Sequence, residues 1–203
     1  MSEQDEYELV ESESAFEGKI ISLRRDTVRM SDGSTSVREV VDHPGAVVVV
    51  ALDDDGRVVI VNQYRHPVRA RLDELPAGLL DVPGEPALTA AQRELREEAG
   101  IEARRWDVLL DLFTSPGFST EAIRVFLARD LKPVGKDGFE ASGEEITMTV
   151  DREPLSDAVR RALAGHITNA AAVAGLLAAI HGRATDWRDL RPADSPWPAK
   201  PGL

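Results

Sequence analysis

The stretch "GAVVVVALDDDGRVVIVNQYR", Gly45 to Arg65, limits the fold of this chain more than any other segment. β-Branched residues lose χ1 freedom in a helix and fit the pleated surface of a sheet. The runs around 46–52 and 58–64 are therefore predicted as strands. The Asp/Gly segment between them reads as a tight turn, so the two runs are expected to pair as a hairpin. A sheet core begins here.

The flanking sequence supplies more strands, then helices. Residues 1 to about 43 read as short extended segments, with "KIISLRRDTVRM" and "TSVREVVDH" separated by the turn "SDGS". Ala91, Leu95 and Ala99 recur at four-residue spacing and predict a helix from Thr89 to Ala99. Thr89 is its expected N-cap, Gln92 lies three positions on, and Gly100 is the stop. "RWDVLLDLFTSP" and "EAIRVFLARDL" read as strands around the loop "SPGFST", with "EEITMTVD" as a further strand. "LSDAVRRALAG" and "NAAAVAGLLAAIHG" read as helices ended by Gly165 and Gly182. The proline-rich tail "RATDWRDLRPADSPWPAKPGL" is expected to be irregular. The order predicts a mixed α/β core, divided into a strand-rich region 1–43, a central domain 44–185 and a tail 186–203.

Composition narrows the functions open to such a fold. The chain has 203 residues and a formal charge of −12, with 36 acidic against 24 basic residues. Such a surface repels nucleic-acid phosphates. A small anionic ligand then needs local arginines or a divalent cation. With no cysteine, disulfides, thiolate metal sites and a cysteine nucleophile are excluded, and a reducing cytoplasm is compatible. No run approaches membrane-span length, so a soluble cytoplasmic protein with no membrane partner is expected. His43, His66, His166 and His181 lack metal-ligand spacing and read as loop or surface histidines. Trp106 reads as packing at a strand start, Trp187 and Trp197 fall in the tail, and Asn169 near the last helix reads as structural.

Four glutamates stand close together in "AGLLDVPGEPALTAAQRELREEAGI", Ala77 to Ile101. On a helix Glu94 shares a face with Glu97 and Glu98, while Leu95 points elsewhere. Such like-charge pairs cost a few tenths of a kcal/mol, roughly, which an Arg93–Glu97 pair partly offsets. Alone, the string suits a solvated helix face as well as a cation site.

The surrounding spacing is what distinguishes it. Gly78, Glu85, seven residues, then Arg93-Glu94-Leu95-Arg96-Glu97-Glu98-Ala99-Gly100-Ile101 resembles the signature of the Nudix hydrolases. It departs at one point: six residues, not five, separate Gly78 from Glu85. The resemblance implies an α/β/α sandwich with a mixed sheet, preceded by a small N-terminal β-strand domain that pairs or swaps in a homodimer. It implies Glu94, Glu97, Glu98 and the Ala77 carbonyl as ligands of Mg²⁺, or of Mn²⁺ as a substitute. A hard cation of this kind takes oxygen ligands and keeps waters. Gly78, Glu85, Arg93 and Gly100 become organisers of the loop and helix.

"REVVDHPGAV", "NQYRHP", "ELPAGLLD" and "TSPGFSTE" resemble the ADP-ribose pyrophosphatase branch, as does Pro116, sixteen residues after Gly100. The similarity spans roughly residues 20 to 180. It implies Mg-dependent hydrolysis of ADP-ribose to AMP and ribose 5-phosphate. The alternatives are a broader nucleoside-diphosphate-sugar or dinucleotide polyphosphate hydrolase and a non-catalytic ADP-ribose sensor. Arg38 and Arg65 offer forked donors to phosphate, or else strand-edge charges. Glu121 offers acceptors to ribose hydroxyls, or else a surface carboxylate. The glycine-containing loop "EASGEEITM" supplies a candidate general base, with Glu145 favoured over Glu144 and Glu140 the weaker third; Glu97 is a further catalytic candidate.

Overall fold

The computed structural model describes residues 7–135 and 146–198. At its centre lies β4 (Ala46–Ala51), six residues that are all buried. Its alternate side chains enter opposite layers. Val47, Val49 and Ala51 meet Ala91 and Leu95 of helix α1 (Ala87–Ala99). Val48 and Val50 meet Leu155 of α2 (Leu155–Leu163) and Leu176 of α3 (Ala170–Ala184). A sheet covered on both faces needs continuous apolar runs, which is what "AVVVVA" provides. The architecture is the expected α/β/α sandwich.

Three sheets are present among the described residues. β1 (Glu8–Glu17), β2 (Ser22–Arg29) and β3 (Thr35–Asp42) form an N-terminal antiparallel sheet. Gly33, at φ +83, turns the chain between β2 and β3 at the predicted "SDGS". The central mixed sheet adds β7 (Ala77–Leu79), β8 (Ile101–Phe113), β9 (Ala122–Pro133) and β11 (Arg191–Pro192), in the order β11-β8-β9-β4-β7. β4 runs parallel to β9 and antiparallel to β7. The third sheet is antiparallel, with β5 (Arg57–Arg65) between β10 (Thr149–Pro154) and β6 (Ala70–Glu74). No helix among the described residues is long and apolar enough to cross a membrane.

The predicted hairpin forms its turn and then divides. Asp53 N–H donates to Arg57 O at 3.0 Å, and Leu52 bridges Val58, but β4 and β5 then separate into different sheets. Both strands are largely buried, and each finds different partners: β4 pairs with β9 and β7, and β5 with β10 and β6.

Three further expectations are corrected. α1 begins at Ala87 with Pro86 as a cap that makes no side-chain bond, so Thr89 is not the N-cap. Ala87 and Leu88 pack on the same core as Ala91 and Leu95, which extends the helix backward. Gly100, at φ +65, does end α1. Gly182 does not end α3, which continues to Ala184; a β-carbon there would lie 2.7 Å from the Trp187 ring, so the glycine admits the indole. The tail is ordered at Arg191–Pro192, which pair with β8. Arg124 stacks 4.8 Å from the Trp197 ring centroid and donates to the Ser195 and Pro196 carbonyls.

Candidate active site

A cleft of about 620 Å³ opens where the central sheet, the third sheet and α1 meet. β7 and the loop after it form one wall. A turn at Val82–Glu85, closed by Glu85 N–H to Val82 O at 3.1 Å with Gly84 at φ +76, absorbs the extra residue between Gly78 and Glu85. Glu85 therefore still reaches the helix. Its two oxygens accept from Arg93 Nε at 3.2 Å and Nη2 at 3.0 Å.

Arg93 also donates from Nη1 to Glu94 at 2.6 Å and to Glu97 at 3.2 Å. One guanidinium thus ties together three carboxylates of the loop and helix. These contacts, the Glu85 hydrogen bond foremost, raise the Arg93 pKa further above its ordinary value. Glu98 is buried at 5% exposure and accepts from Ala77 N–H at 3.0 Å. Its place on α1 is the buried stripe, three residues after Leu95.

Gly78 backs directly onto Glu94. A β-carbon at position 78 would lie 2.0 Å from Glu94 Oε1, so only glycine lets this carboxylate lie against the β7 backbone. Among the described residues no three acidic or histidine side chains close around a cation, and Arg93 serves as counter-ion to Glu94 and Glu97. The oxygen donors of Glu94, Glu97 and Glu98 nevertheless face one cleft wall beside Ala77, a set suited to a hard divalent cation.

The same cleft is also lined by Arg65 and Glu121. Arg65 on β5 is gripped by Glu74 on β6 through Nε at 3.1 Å and Nη2 at 2.7 Å. Glu74 is only 2% exposed and also accepts from Gln63 at 3.2 Å. Sequence reasoning missed Glu74 and Gln63, because their meeting depends on the β5–β6 register. Glu121 lies at the end of the loop containing Pro116; its Oε2 accepts from the Thr114 hydroxyl. Its Oε1 lies 3.5 Å from His43 Nε2. His43 is indeed in a loop, but its side chain is 13% exposed and lines the cleft rather than the surface. Asn169 lines the cleft too and caps α3, accepting from Ala172 N–H at 2.9 Å.

Arg38 is not brought to this cleft. It is exposed on β3, donating to Ser36 and to the Val37 carbonyl. Its surroundings are a separate hollow with Val37, Val41 and Phe118. Glu140, Glu144 and Glu145 lie outside the described residues. The N-terminal sheet is tied to the Pro116 loop by Val41 N–H to Phe118 O at 2.7 Å and Thr120 N–H to Val41 O at 3.0 Å.

Comparison with known proteins agrees with this geometry. A family model described as the NUDIX domain matches residues 42–167, and one described as the nucleoside diphosphate sugar hydrolase N-terminal domain matches residues 7–41. An ADP-ribose pyrophosphatase of Mycobacterium tuberculosis is 50% identical over 201 residues, covering 99% of this chain and 95% of that protein. An ADP-ribose pyrophosphatase of Bacillus subtilis is 42% identical over 126 residues, covering 62% of this chain and 68% of that protein. A crystal structure of an ADP compounds hydrolase shares the fold, with a TM-score of 0.75 at 22% identity, covering 90% of this chain and 97% of that one. The chain, with its Gly78-to-Ile101 signature folded as one loop and helix facing a cleft, belongs to the Nudix hydrolase family.

Proposed function

We propose that this chain hydrolyses the diphosphate of ADP-ribose to AMP and ribose 5-phosphate with Mg²⁺, or Mn²⁺ in its place. The observation that carries this reading is that the α1 carboxylates, Arg65 and Glu121 face one cleft. The relatives named as ADP-ribose pyrophosphatases support the choice of substrate.

Nudix hydrolases work with a divalent metal, and here Glu94, Glu97, Glu98 and the Ala77 carbonyl would hold it. When bound, such a metal neutralises diphosphate charge and makes water a better nucleophile. The protein groups supply the rest. Arg65, fixed by buried Glu74, presents a preorganised guanidinium to phosphate oxygens and to the charge that develops on them. Glu121 accepts from ribose hydroxyls. Glu145, or its neighbour Glu144, takes a proton from the attacking water; a P–O bond forms to that water and the bridging P–O bond breaks.

In this reading residues 1–43 form a dimerisation region, 44–185 the hydrolase domain and 186–203 the tail. A homodimer is supported by β1, exposed along its whole length, with Leu9 59% and Phe16 57% exposed. The reaction belongs in the cytoplasm, in keeping with a chain that has no cysteine.

The test is incubation with Mg²⁺ and ADP-ribose, ADP-glucose, NADH, FAD or diadenosine polyphosphates, with AMP release measured. ADP-ribose should be turned over fastest. Tight ADP-ribose binding without turnover of any compound would replace the hydrolase with a sensor.

A further inference from the structure

We propose that His43 is a positioning residue that, with Thr114, holds the Glu121 carboxylate as a receptor for a vicinal diol of the substrate. The proposal rests on the reading of Glu121 as the group that accepts from ribose hydroxyls.

The His43 ring is held at both ends of its residue. Its backbone N–H donates to Thr120 Oγ1 at 3.0 Å, and its Nδ1 accepts from Gly45 N–H at 3.0 Å. Gly45 reaches that position at φ +85, a conformation costly for a residue with a side chain. Because Nδ1 is an acceptor, the neutral ring carries its proton on Nε2. That nitrogen lies 3.5 Å from Glu121 Oε1, a distance that a modest closure around a ligand shortens to a hydrogen bond.

Thr114 occupies the other oxygen of the same carboxylate. An ionised carboxylate has about four lone-pair sites. With Thr114 on one oxygen and His43 drawn onto the other, one acceptor site per oxygen is left for the cleft, where the Glu121 side chain is 27% exposed and that of His43 13%. Two adjacent acceptors held in this way match two neighbouring hydroxyls. They do not match a phosphate, which the negative carboxylate repels. The chemical selection is for a cis-diol over a deoxy sugar, and His43 acts through Glu121 rather than on substrate.

The test compares wild type, His43→Ala and His43→Gln. Each is assayed for ADP-ribose hydrolysis and for inhibition by two ligand pairs: AMP with 2′-deoxy-AMP, and ribose 5-phosphate with 2-deoxyribose 5-phosphate. In wild type, one pair should show preference for the diol member. His43→Ala should raise KM on the order of tenfold, with kcat changed much less, and should erase that preference. His43→Gln, whose amide nitrogen can stand near the Nε2 position, should restore a large part of both. If wild type prefers the diol and His43→Ala keeps the preference, or if wild type discriminates within neither pair, the proposal is overturned. If wild type hydrolyses no ADP-ribose, the proposed function itself fails. Should His43→Ala lower Tm severely, His43→Asn decides: its amide oxygen can stand near the Nδ1 position and keep the Gly45 contact but places no donor near Glu121, so a folded Asn variant should lack the diol preference, and one that keeps it overturns the proposal.

Discussion

Gly78 and Glu94 are in such close register that the glycine's missing side chain is the space Glu94 occupies: a β-carbon would sit 2.1 Å from the carboxyl carbon. Gly78→Ala must therefore push Glu94 off the β7 backbone. Metal affinity, read by Mg²⁺ titration of activity, should weaken about 10- to 100-fold with little change in Tm. An alanine variant with normal Mg²⁺ dependence would mean that Glu94 does not need this place.

Arg65 is 39% exposed by side chain, whereas its partner Glu74 is 2% exposed. Arg65→Ala should thus cost more than an ordinary surface arginine, up to about 3–5 kcal/mol by urea unfolding, because it strips a buried carboxylate of its main cation. Glu74→Gln should instead leave the fold near normal and raise KM, since the guanidinium loses its fixed aim. In kcat/KM the two changes should be strongly non-additive. Additive losses would separate Glu74 from Arg65.

Glu98→Gln should reduce kcat by orders of magnitude while circular dichroism stays native, since the amide still fills the site beside Ala77 N–H. Near-normal turnover would remove Glu98 from the metal set. Glu145→Gln should behave alike, and the same loss in Glu144→Gln instead would move the base by one residue.

Asp111 gathers Arg124 and Arg191, with contacts of 2.8 Å to each. Burial works against its charge, but the two arginines win and hold its pKa below the usual value. A depressed folded pKa gives stability that is complete above the unfolded value, about 3.9, and is lost as pH falls through the folded one. The stability gap between wild type and Asp111→Asn should therefore be full at neutral pH and shrink as pH drops below about 3.9. A gap independent of pH would show that charge is not what Asp111 contributes.

Local features of this chain were legible in its sequence, and those set by distant partners were not. Gly100 ends α1 because a left-handed residue closes that helix wherever it packs. Glu94, Glu97 and Glu98 line one cleft in part because three- and four-residue spacing makes them neighbours on α1, while Gly78 and Arg93 set where the Glu94 and Glu97 oxygens lie. By contrast, the separation of β4 from β5 depends on β9, β6 and β10, and Glu74 acquires its role only once β6 is in register with β5. His43 looked like a loop histidine because its meaning comes from a loop more than seventy residues later, pinned by Thr120 and facing Glu121. A signal for it was present in "HPG", where a glycine follows at the spacing that lets its N–H fix the ring.

The dividing turn at Asp53–Gly56 gives the molecule a fulcrum. β4 and β5 are joined there, bridged by Leu52 and Val58, while Arg65 rides on the far end of β5. Nine residues of strand span roughly 30 Å, so a tilt of a few degrees at the joint swings Arg65 by an ångström or more. Substitutions around Gly56, outside the cleft, thereby gain leverage over where the Arg65 guanidinium stands within it.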